Sequence, residues 1–442
     1  MKKVILSLAG ALAATAFAPE ASAIPAFARQ VGVACQACHF QHFPQLNSFG
    51  RAFKNSGFTT IGAEPKVEGE HLSIPATLNM SMLVTAGYES VSKSGVAAVA
   101  PATAGTTNGK FFAPNNGGEL SLFVAGRISE NIGFLTELAG TIGGSPFKLP
   151  MFWDMGGAKV GLVAVGGNVP AWSFETLNTG AVSTHRMMGN AGPNKEHINV
   201  TGAAQYLGTG AVKGNGVSFV ANNEMGFVNI GKYDLTAVGA SSNTNAMSTT
   251  YARAAYIFNA GGWDSAVGIQ SFSGQAGAPV LVAVAPDSKA TIIDGQMQGE
   301  AGGMPLGIYA SYGRAPVSAT AGNIYNTGVG AGVGAVAPAI GTVGLNDRKS
   351  FNIAGELGVI PNKATLQLAL RSANNGSGTA NVAAGQGDKD NAIMLGATYE
   401  LAQNVGLYLT HTAQSGSAWN TPIGGTEPIG KTVTSMTLEA NF

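Results

Sequence analysis

From about residue 71 to the end of the chain, apolar and polar side chains alternate one for one in stretch after stretch. Beyond the first two dozen residues no apolar run is long enough for a spanning helix, which needs ~20 residues. In the first stretch Leu72, Ile74, Ala76, Leu78, Met80, Met82, Val84, Ala86 and Tyr88 fall on one face, and Ser73, Thr77, Asn79, Ser81 and Thr85 on the other. A period of two is that of a strand with one apolar and one polar face. The pattern recurs with Leu120, Leu122, Val124 and Ile128 against Glu119, Ser121 and Arg127. It returns with Phe351, Ile353, Leu357 and Val359 against Asn352 and Glu356, and with Ala364, Leu366, Leu368 and Leu370 against Thr365, Gln367 and Arg371. In each case the charge sits on the polar face. Only 11% of residues are charged, against about 25% in soluble domains, and 63 of 442 are Gly. Polarity comes instead from Ser, Thr, Asn and Gln. Such strands suit a membrane barrel, in which one face meets lipid and the other meets water or packed protein.

The connections alternate in length. Short turns are expected near Glu130–Asn131, Gly166–Asn168, Asn222–Glu224, Asn259–Gly262, Glu300–Gly303, Pro361–Asn362 and Gln403–Asn404. Longer loops fall at about 89–117, 142–157, 177–213, 238–247, 274–289, 314–348, 373–388 and 414–430. Short turns at one end and long loops at the other are the habit of outer-membrane barrels, and this count implies about sixteen strands with both chain ends on the short-turn, periplasmic side. Keeping that parity requires a strand near Val169–Leu177, where the alternation is poor. The final strand places Met436, Leu438, Ala440 and the terminal Phe442 on one face, opposite Ser435, Thr437, Glu439 and Asn441. A terminal amphipathic strand ending in an aromatic has the form of the bacterial barrel-assembly signal. A soluble β-sandwich or a solenoid is the competing architecture, but no fixed-period repeat supports a solenoid. The expected fold is therefore all-β. It is an antiparallel outer-membrane barrel of about sixteen strands (71–442), preceded by a small helical domain (24–70) that plugs the lumen.

The chain opens with Lys2 and Lys3, an apolar run from Val4 to Ala18, and Ala21-Ser22-Ala23. This is the pattern of an export signal (1–23) removed after Ala23. The two cysteines, Cys35 and Cys38, stand in Cys35-Gln36-Ala37-Cys38-His39. C-x-x-C-H is the attachment pattern of c-type haem. Thiols at i and i+3 meet the two vinyl groups, and the imidazole that follows ligates the iron. Three other readings of the pair exist: a thioredoxin-type redox motif, half of a zinc site, and a plain disulfide. No βαβ context surrounds the motif and no second Cys pair completes a zinc site, while the adjoining His and the export signal favour one covalently bound haem c. Cys35 and Cys38 are then the haem anchors, with His39 the proximal ligand and the metal-binding residue.

Leu46, Phe49 and Phe53 after Pro44 recur at helical spacing, and Gly57 is a plausible helix stop. The stripe would cover a haem face and exclude water. For a second axial ligand His42 is poorly placed, lying on the same helical face as His39. Met80 and Met82 are on the lipid face. His71 at the start of the first strand is better placed, and Met187 and Met188 qualify if the loop 177–213 folds inward rather than lying solvated outside. No catalytic triad, phosphate loop or carboxylate dyad is visible, and a net charge of zero points to no nucleic-acid partner.

The run Ile24-Pro25-Ala26-Phe27-Ala28-Arg29-Gln30, the Cys35–His39 motif, Phe43-Pro44-Gln45-Leu46-Asn47, Phe49-Gly50-Arg51 and Phe53-Lys54 resembles the start of the fused monohaem cytochrome–porins, outer-membrane iron(II) oxidases of iron-oxidising bacteria. The specific likeness covers about 35 residues. The resemblance implies that a short cytochrome segment plugs a porin-like barrel. It also implies that electrons from extracellular Fe(II) pass through one haem, held by Cys35, Cys38 and His39, to a periplasmic cytochrome. No iron-binding residue carries over. Two other functions fit the same parts: an outward conduit to an extracellular acceptor, and a substrate channel with a haem plug or sensor.

Overall fold

The computed structural model describes residues 25–62, 64–70, 72–76, 78–91, 109–114, 116–139, 146–167, 174–180, 202–209, 214–235, 247–277, 285–319, 322–326, 346–376, 388–417 and 432–442. The export signal expected at 1–23 lies outside the described residues.

The strands of the wall are β3 (Met80–Val91), β4 (Lys110–Pro114), β5 (Gly117–Gly118), β6 (Leu120–Ser129), β7 (Ile132–Ala139), β8 (Phe147–Asp154), β9 (Lys159–Gly167), β10 (Gly214–Asn223) and β11 (Gly226–Tyr233). They continue with β12 (Thr249–Ala260), β13 (Trp263–Gly274), β14 (Ala290–Ala301), β15 (Met304–Ala315), β16 (Arg348–Ile360), β17 (Ala364–Asn374), β18 (Asn391–Ala402), β19 (Val405–Ser415) and β20 (Thr432–Asn441). Each pairs with its neighbours in sequence, and β20 pairs antiparallel with β3 to close the ring. β4 continues alongside β3 where β6 leaves off, with Gly87 opposite Phe112 and Val84 opposite Leu120. The pieces β4 to β6 thus share one place in the wall, and the barrel has sixteen strands. No described helix is long and apolar enough to cross a membrane; the strands make the crossing.

Alternation sets the two faces. Leu366, Leu368 and Leu370 on β17 and Leu395 on β18 point outward and are exposed, whereas Thr365, Gln367 and Arg371 point inward and are buried. Met80 and Met82 lie on the outer face, with Ser81, Thr85 and Glu89 inside. A closed ring leaves no unpaired edge, and an apolar outer belt over internally satisfied backbone is the arrangement lipid requires. The chain is a closed β-barrel with a lipid-compatible outer belt.

The short turns and both ends of the barrel chain lie on one side. Two of these turns, Gly261–Gly262 and Gly302–Gly303, consist of two residues with positive φ, the backbone that tight hairpins demand and that Gly adopts without penalty. Phe442 exchanges backbone hydrogen bonds with Met82 at 2.6 and 2.9 Å.

Three expectations need correction. The first strand was expected from Leu72, but Leu72–Pro75 (β2) pairs with Lys66–Gly69 (β1) in a separate hairpin, and the wall begins at Met80. The span 142–157 is not a loop throughout. It holds β8, which turns through 155–158 into β9, and Gly166 and Gly167 lie in β9 rather than in a turn. The strand expected at Val169–Leu177 is absent from its described part, since Phe174–Leu177 is not strand and β9 pairs directly with β10. Pro150 disguises β8, because proline reads against a central strand, and Gly156-Gly157 forms the turn that follows.

Residues 25–62 sit across the short-turn end of the lumen. Helix α1 (Pro25–Val31), a 3₁₀ turn (Cys35–Ala37) and helix α2 (Ser48–Asn55) are its elements. Phe53 packs on Phe27 and Phe58 at ring distances of 4.9 and 5.9 Å, so three separated aromatics make this small core. Phe49 does not join the expected stripe; it is 47% exposed, one turn beyond that cluster. The wall grips the segment from several sides. Arg29 donates to the Met80 carbonyl on β3, Arg51 pairs with Asp264 on β13, and Asn55 donates to the Asn223 carbonyl on β10 at 3.3 Å. Buried Gln30 donates to the carbonyls of Phe58 and Thr60 at 2.7 Å and accepts from the Arg127 N–H of β6 at 3.1 Å.

Between β9 and β10 the chain also turns inward. Phe174 to Thr179 are at most 5% exposed. Phe174 stacks edge-on between Phe152 and Phe227. Helix α3 (Ala203–Tyr206) follows, its first N–H bonded to Ser311 at 2.8 Å. These residues join Tyr233, Tyr251, Phe272 and Tyr325 in one apolar cluster inside the barrel.

Candidate functional site

The Cys35–His39 motif wraps one turn, with the N–H groups of Cys38 and His39 both bonded to the Cys35 carbonyl at 2.9 and 2.8 Å. A second strand of chain braces that turn. Asn47 caps α2, its side chain accepting from Gly50 N at 3.0 Å, while its amide donates back to the carbonyls of Ala37 and Gln36 at 3.0 and 3.2 Å. Asn47 N bonds the Cys38 carbonyl at 3.0 Å, and His39 bridges Leu46 in an isolated antiparallel pairing. The loop between them includes the cis Phe43–Pro44 peptide. Each side chain of the motif is thereby oriented by backbone it meets only after the chain has doubled back.

Both cysteines are free thiols, Cys35 buried and Cys38 half-buried. Burial pushes both thiols above their ordinary range, reinforced for Cys35 by the Glu400 carboxylate. A disulfide-exchange cysteine needs the opposite, a lowered pKa that yields thiolate, so the surroundings speak against the thioredoxin-like reading. The His39 imidazole donates from Nδ1 to the Gln45 carbonyl at 3.1 Å, since a carbonyl can only accept. This fixes the tautomer and leaves the Nε2 lone pair for a ligand. Burial holds His39 well below its ordinary range, at about 4, against the opposing pull of the Gln45 and Pro44 carbonyls. The ring is neutral, the state that binds metal.

His42 has no such freedom. Its Nδ1 faces the Phe43 carbonyl and its Nε2 the Glu356 carboxylate of β16, both at 2.7 Å. Two acceptors favour the charged ring, which donates from both nitrogens. Burial opposes that charge, but Glu356 and the Phe43 carbonyl outweigh it and hold the imidazole above its ordinary range. Tyr309 donates to the same carboxylate at 3.2 Å. His42 therefore anchors the segment to the wall and is not an open axial ligand, in keeping with its expected poor placement. Met80 and Met82 face outward. His71, Met187 and Met188 lie outside the described residues. Among the described residues no group of three or more His, Cys, Asp or Glu side chains is arranged to hold a metal ion.

Beside His39 lies a small cavity of about 50 Å³, lined by His39, His42 and Phe43 from the segment and by Glu400, Tyr408 and Glu439 among the residues of the wall. A neutral imidazole oriented through Nδ1 and two protonated thiols three residues apart in one turn are the donor set that a covalently anchored haem needs. The fit is to this chain's own residues: Cys35 and Cys38 as anchors and His39 as ligand.

Sequence reasoning missed Gln45, Asn178 and Glu356. Glu356 was readable as an inward charge without a known partner. Gln45 acts through a backbone carbonyl, which no side-chain pattern encodes. Asn178 sits in the loop expected either to fold inward or to lie outside. The described part folds inward and touches the motif's support, Asn178 Oδ1 accepting from Leu46 N at 2.7 Å and Nδ2 donating to Leu46 O at 3.0 Å.

No protein-family profile and no curated protein sequence matches the chain. Among solved structures it is similar to a porin, with 10% identity over 83% of this chain and all of that one at a TM-score of 0.47. It is also similar to the outer-membrane protein OmpT of Vibrio cholerae, with 9% identity, 86% and 100% coverage and a TM-score of 0.43. A double mutant of the Rh. blastica porin gives 12% identity, 83% and 100% coverage and a TM-score of 0.44.

Proposed function

We propose that this barrel carries one haem c on Cys35, Cys38 and His39. In this reading it passes single electrons across the outer membrane from extracellular Fe(II) to a periplasmic electron carrier, a cytochrome. The observation that carries the reading is the oriented His39. Its Nδ1 is committed to the Gln45 carbonyl, which leaves Nε2 as the ligating atom, and it directly follows two free thiols at the short-turn end of the barrel wall. When bound, the haem supplies a one-electron couple, accepting the electron that Fe(II) loses on becoming Fe(III).

The chain's own residues do the rest. The Cys35–Cys38 turn fixes the point of attachment. The Gln45 carbonyl increases the basicity of the His39 ligand, a recognised lever on potential. Phe43 packs edge-on against the His39 ring at 5.3 Å and limits its rotation. The ion pair of His42 with Glu356, joined by that of Arg51 with Asp264, holds the segment within the lumen so that the path across the hydrocarbon layer of ~30 Å is shortened.

Anaerobic visible spectroscopy of the oxidised, purified chain during addition of Fe(II) tests this. Rapid appearance of reduced c-haem bands is expected, with none in a Cys35→Ala, Cys38→Ala variant. A haem-bearing protein that stays oxidised with excess Fe(II) over a range of pH would remove Fe(II) as the donor. Solute flux through the barrel in liposomes with no haem bands would favour the channel.

A further inference from the structure

We propose that Asn178, delivered from the barrel wall by the inward loop, is the positioning residue for the axial ligand His39. It would act through a single peptide group and set the potential of the haem. The inference rests on the haem reading above.

The Gln45 carbonyl that receives the His39 Nδ1 proton and the Leu46 N–H that binds Asn178 Oδ1 belong to the same peptide. That unit is planar and its two polar groups point in opposite directions. Fixing one fixes the other. The side-chain amide of Asn178 holds Leu46 from both sides, as a neighbouring strand would, at 2.7 and 3.0 Å. Asn178 is 1% exposed, Gln45 1% and Leu46 9%, so no bulk water competes for these bonds. The result is a chain of hydrogen bonds from the Asn178 oxygen through the peptide to the imidazole. In such a chain each bond polarises the next.

The far end is tied to the wall. Asn178 N donates to Gln296 Oε1, and Thr179 Oγ1 to Asp294 Oδ1, both at 2.7 Å. Glu175 of the same loop pairs with Arg253 at 2.8 Å, and Arg253 with Asp294 at 2.5 Å. β12 and β14 thereby set the position of Asn178, and Asn178 sets the carbonyl facing the ligand together with the Phe40 N–H, which donates to that carbonyl at 2.8 Å.

A role confined to clamping the segment would leave the potential of a retained haem unchanged, and this separates the two ideas. Loss of the amide lets the Gln45 carbonyl relax and weakens its bond to Nδ1–H. The imidazole becomes a poorer donor, the oxidised iron is less stabilised, and the midpoint potential rises. The experiment is spectroelectrochemical titration of the full-length wild type, Asn178→Ala and Asn178→Asp between about pH 5 and 9, with haem content and barrel folding checked in each. Asn178→Ala is expected to titrate at higher potential than wild type. Asn178→Asp, of the same shape, keeps an acceptor for Leu46 N, but when ionised it sets a second oxygen against the Leu46 carbonyl that Asn178 Nδ2 binds at 3.0 Å, so its potential is expected to depart from wild type. It should return toward the wild-type value as the carboxyl is protonated and that oxygen can donate again. Full haem content with wild-type potential in both variants at every pH overturns the inference. If Asn178→Ala does not fold, a pH-independent, wild-type potential in Asn178→Asp overturns it alone. A wild-type chain without haem would instead overturn the reading beneath, which the first measurement reveals before any variant is compared.

Discussion

Replacing Gly50 by Ala sets two opposed effects against each other. Gly50 lies in α2 with no need for a left-handed backbone, so propensity alone favours Ala by about 0.5–1 kcal/mol. A Cβ there would stand 2.1 Å from the Cys38 carbonyl oxygen and 3.0 Å from both the Cys38 carbonyl carbon and Leu46 Cδ2. Ordinary contact would require helix and turn to separate by about 1 Å. The obstructing atom is backbone and is itself bonded to Asn47 N at 3.0 Å, so no side chain can rotate away. Overpacking of this kind costs about 1–3 kcal/mol, and a fixed backbone neighbour places it at the upper end. The net loss is about 1–2 kcal/mol, roughly a 5- to 30-fold increase in the opened segment. Native-state proteolysis reads that population when opening is fast relative to cleavage. Cleavage within residues 25–62 should accelerate by that factor while the barrel's heat-modifiable gel mobility stays unchanged. A variant cleaved at or below the wild-type rate would show that propensity wins and that α2 does not pack on the cysteine turn this closely.

Three further outcomes are expected. His42 titrates above its unfolded value of about 6.5, so its bond to Glu356 stabilises fully below that pH and fades as pH rises through the raised value. Segment opening, followed by proteolysis, should therefore increase with pH in wild type, and Glu356→Gln should flatten the curve; an unchanged slope would refute the pairing. Arg253→Met strands Glu175 and Asp294, both almost fully buried, without their cation. A destabilisation of about 3–5 kcal/mol is expected in thermal melts, whereas a wild-type melting temperature would mean the carboxylates have other neutralisation. Leu368→Arg places a charge on the lipid face of β17 and should cost about 2–4 kcal/mol if near mid-bilayer, measured as reduced folding into vesicles. Folding as efficient as wild type would put that face out of contact with lipid.

The two faces of the wall were legible because a one-residue shift would invert every strand. Asn352 and Glu356 had to lie opposite Phe351 and Ile353, and they do. Pairing partners were not legible. Leu72 and Ile74 alternate as cleanly as Met80 and Met82, yet they pair with Val67 and its neighbours outside the barrel. Alternation records that a strand has two faces but not which strand lies beside it. β8 was hidden because Pro150 satisfies a strand only where no ladder N–H is required. The Cys35–His39 turn was legible as a local spacing. Its support was not, since Asn178 meets Leu46 across 132 residues and Glu356 meets His42 across 314, and no local pattern encodes such distances.

The seam between β20 and β3 imposes an order of events. The ring closes only when β20 has found β3, long after residues 25–62 have been synthesised. Once it closes, Arg51 and His42 are tied to β13 and β16 and Cys35 is 4% exposed, so the wall assembles around a segment that was made before it.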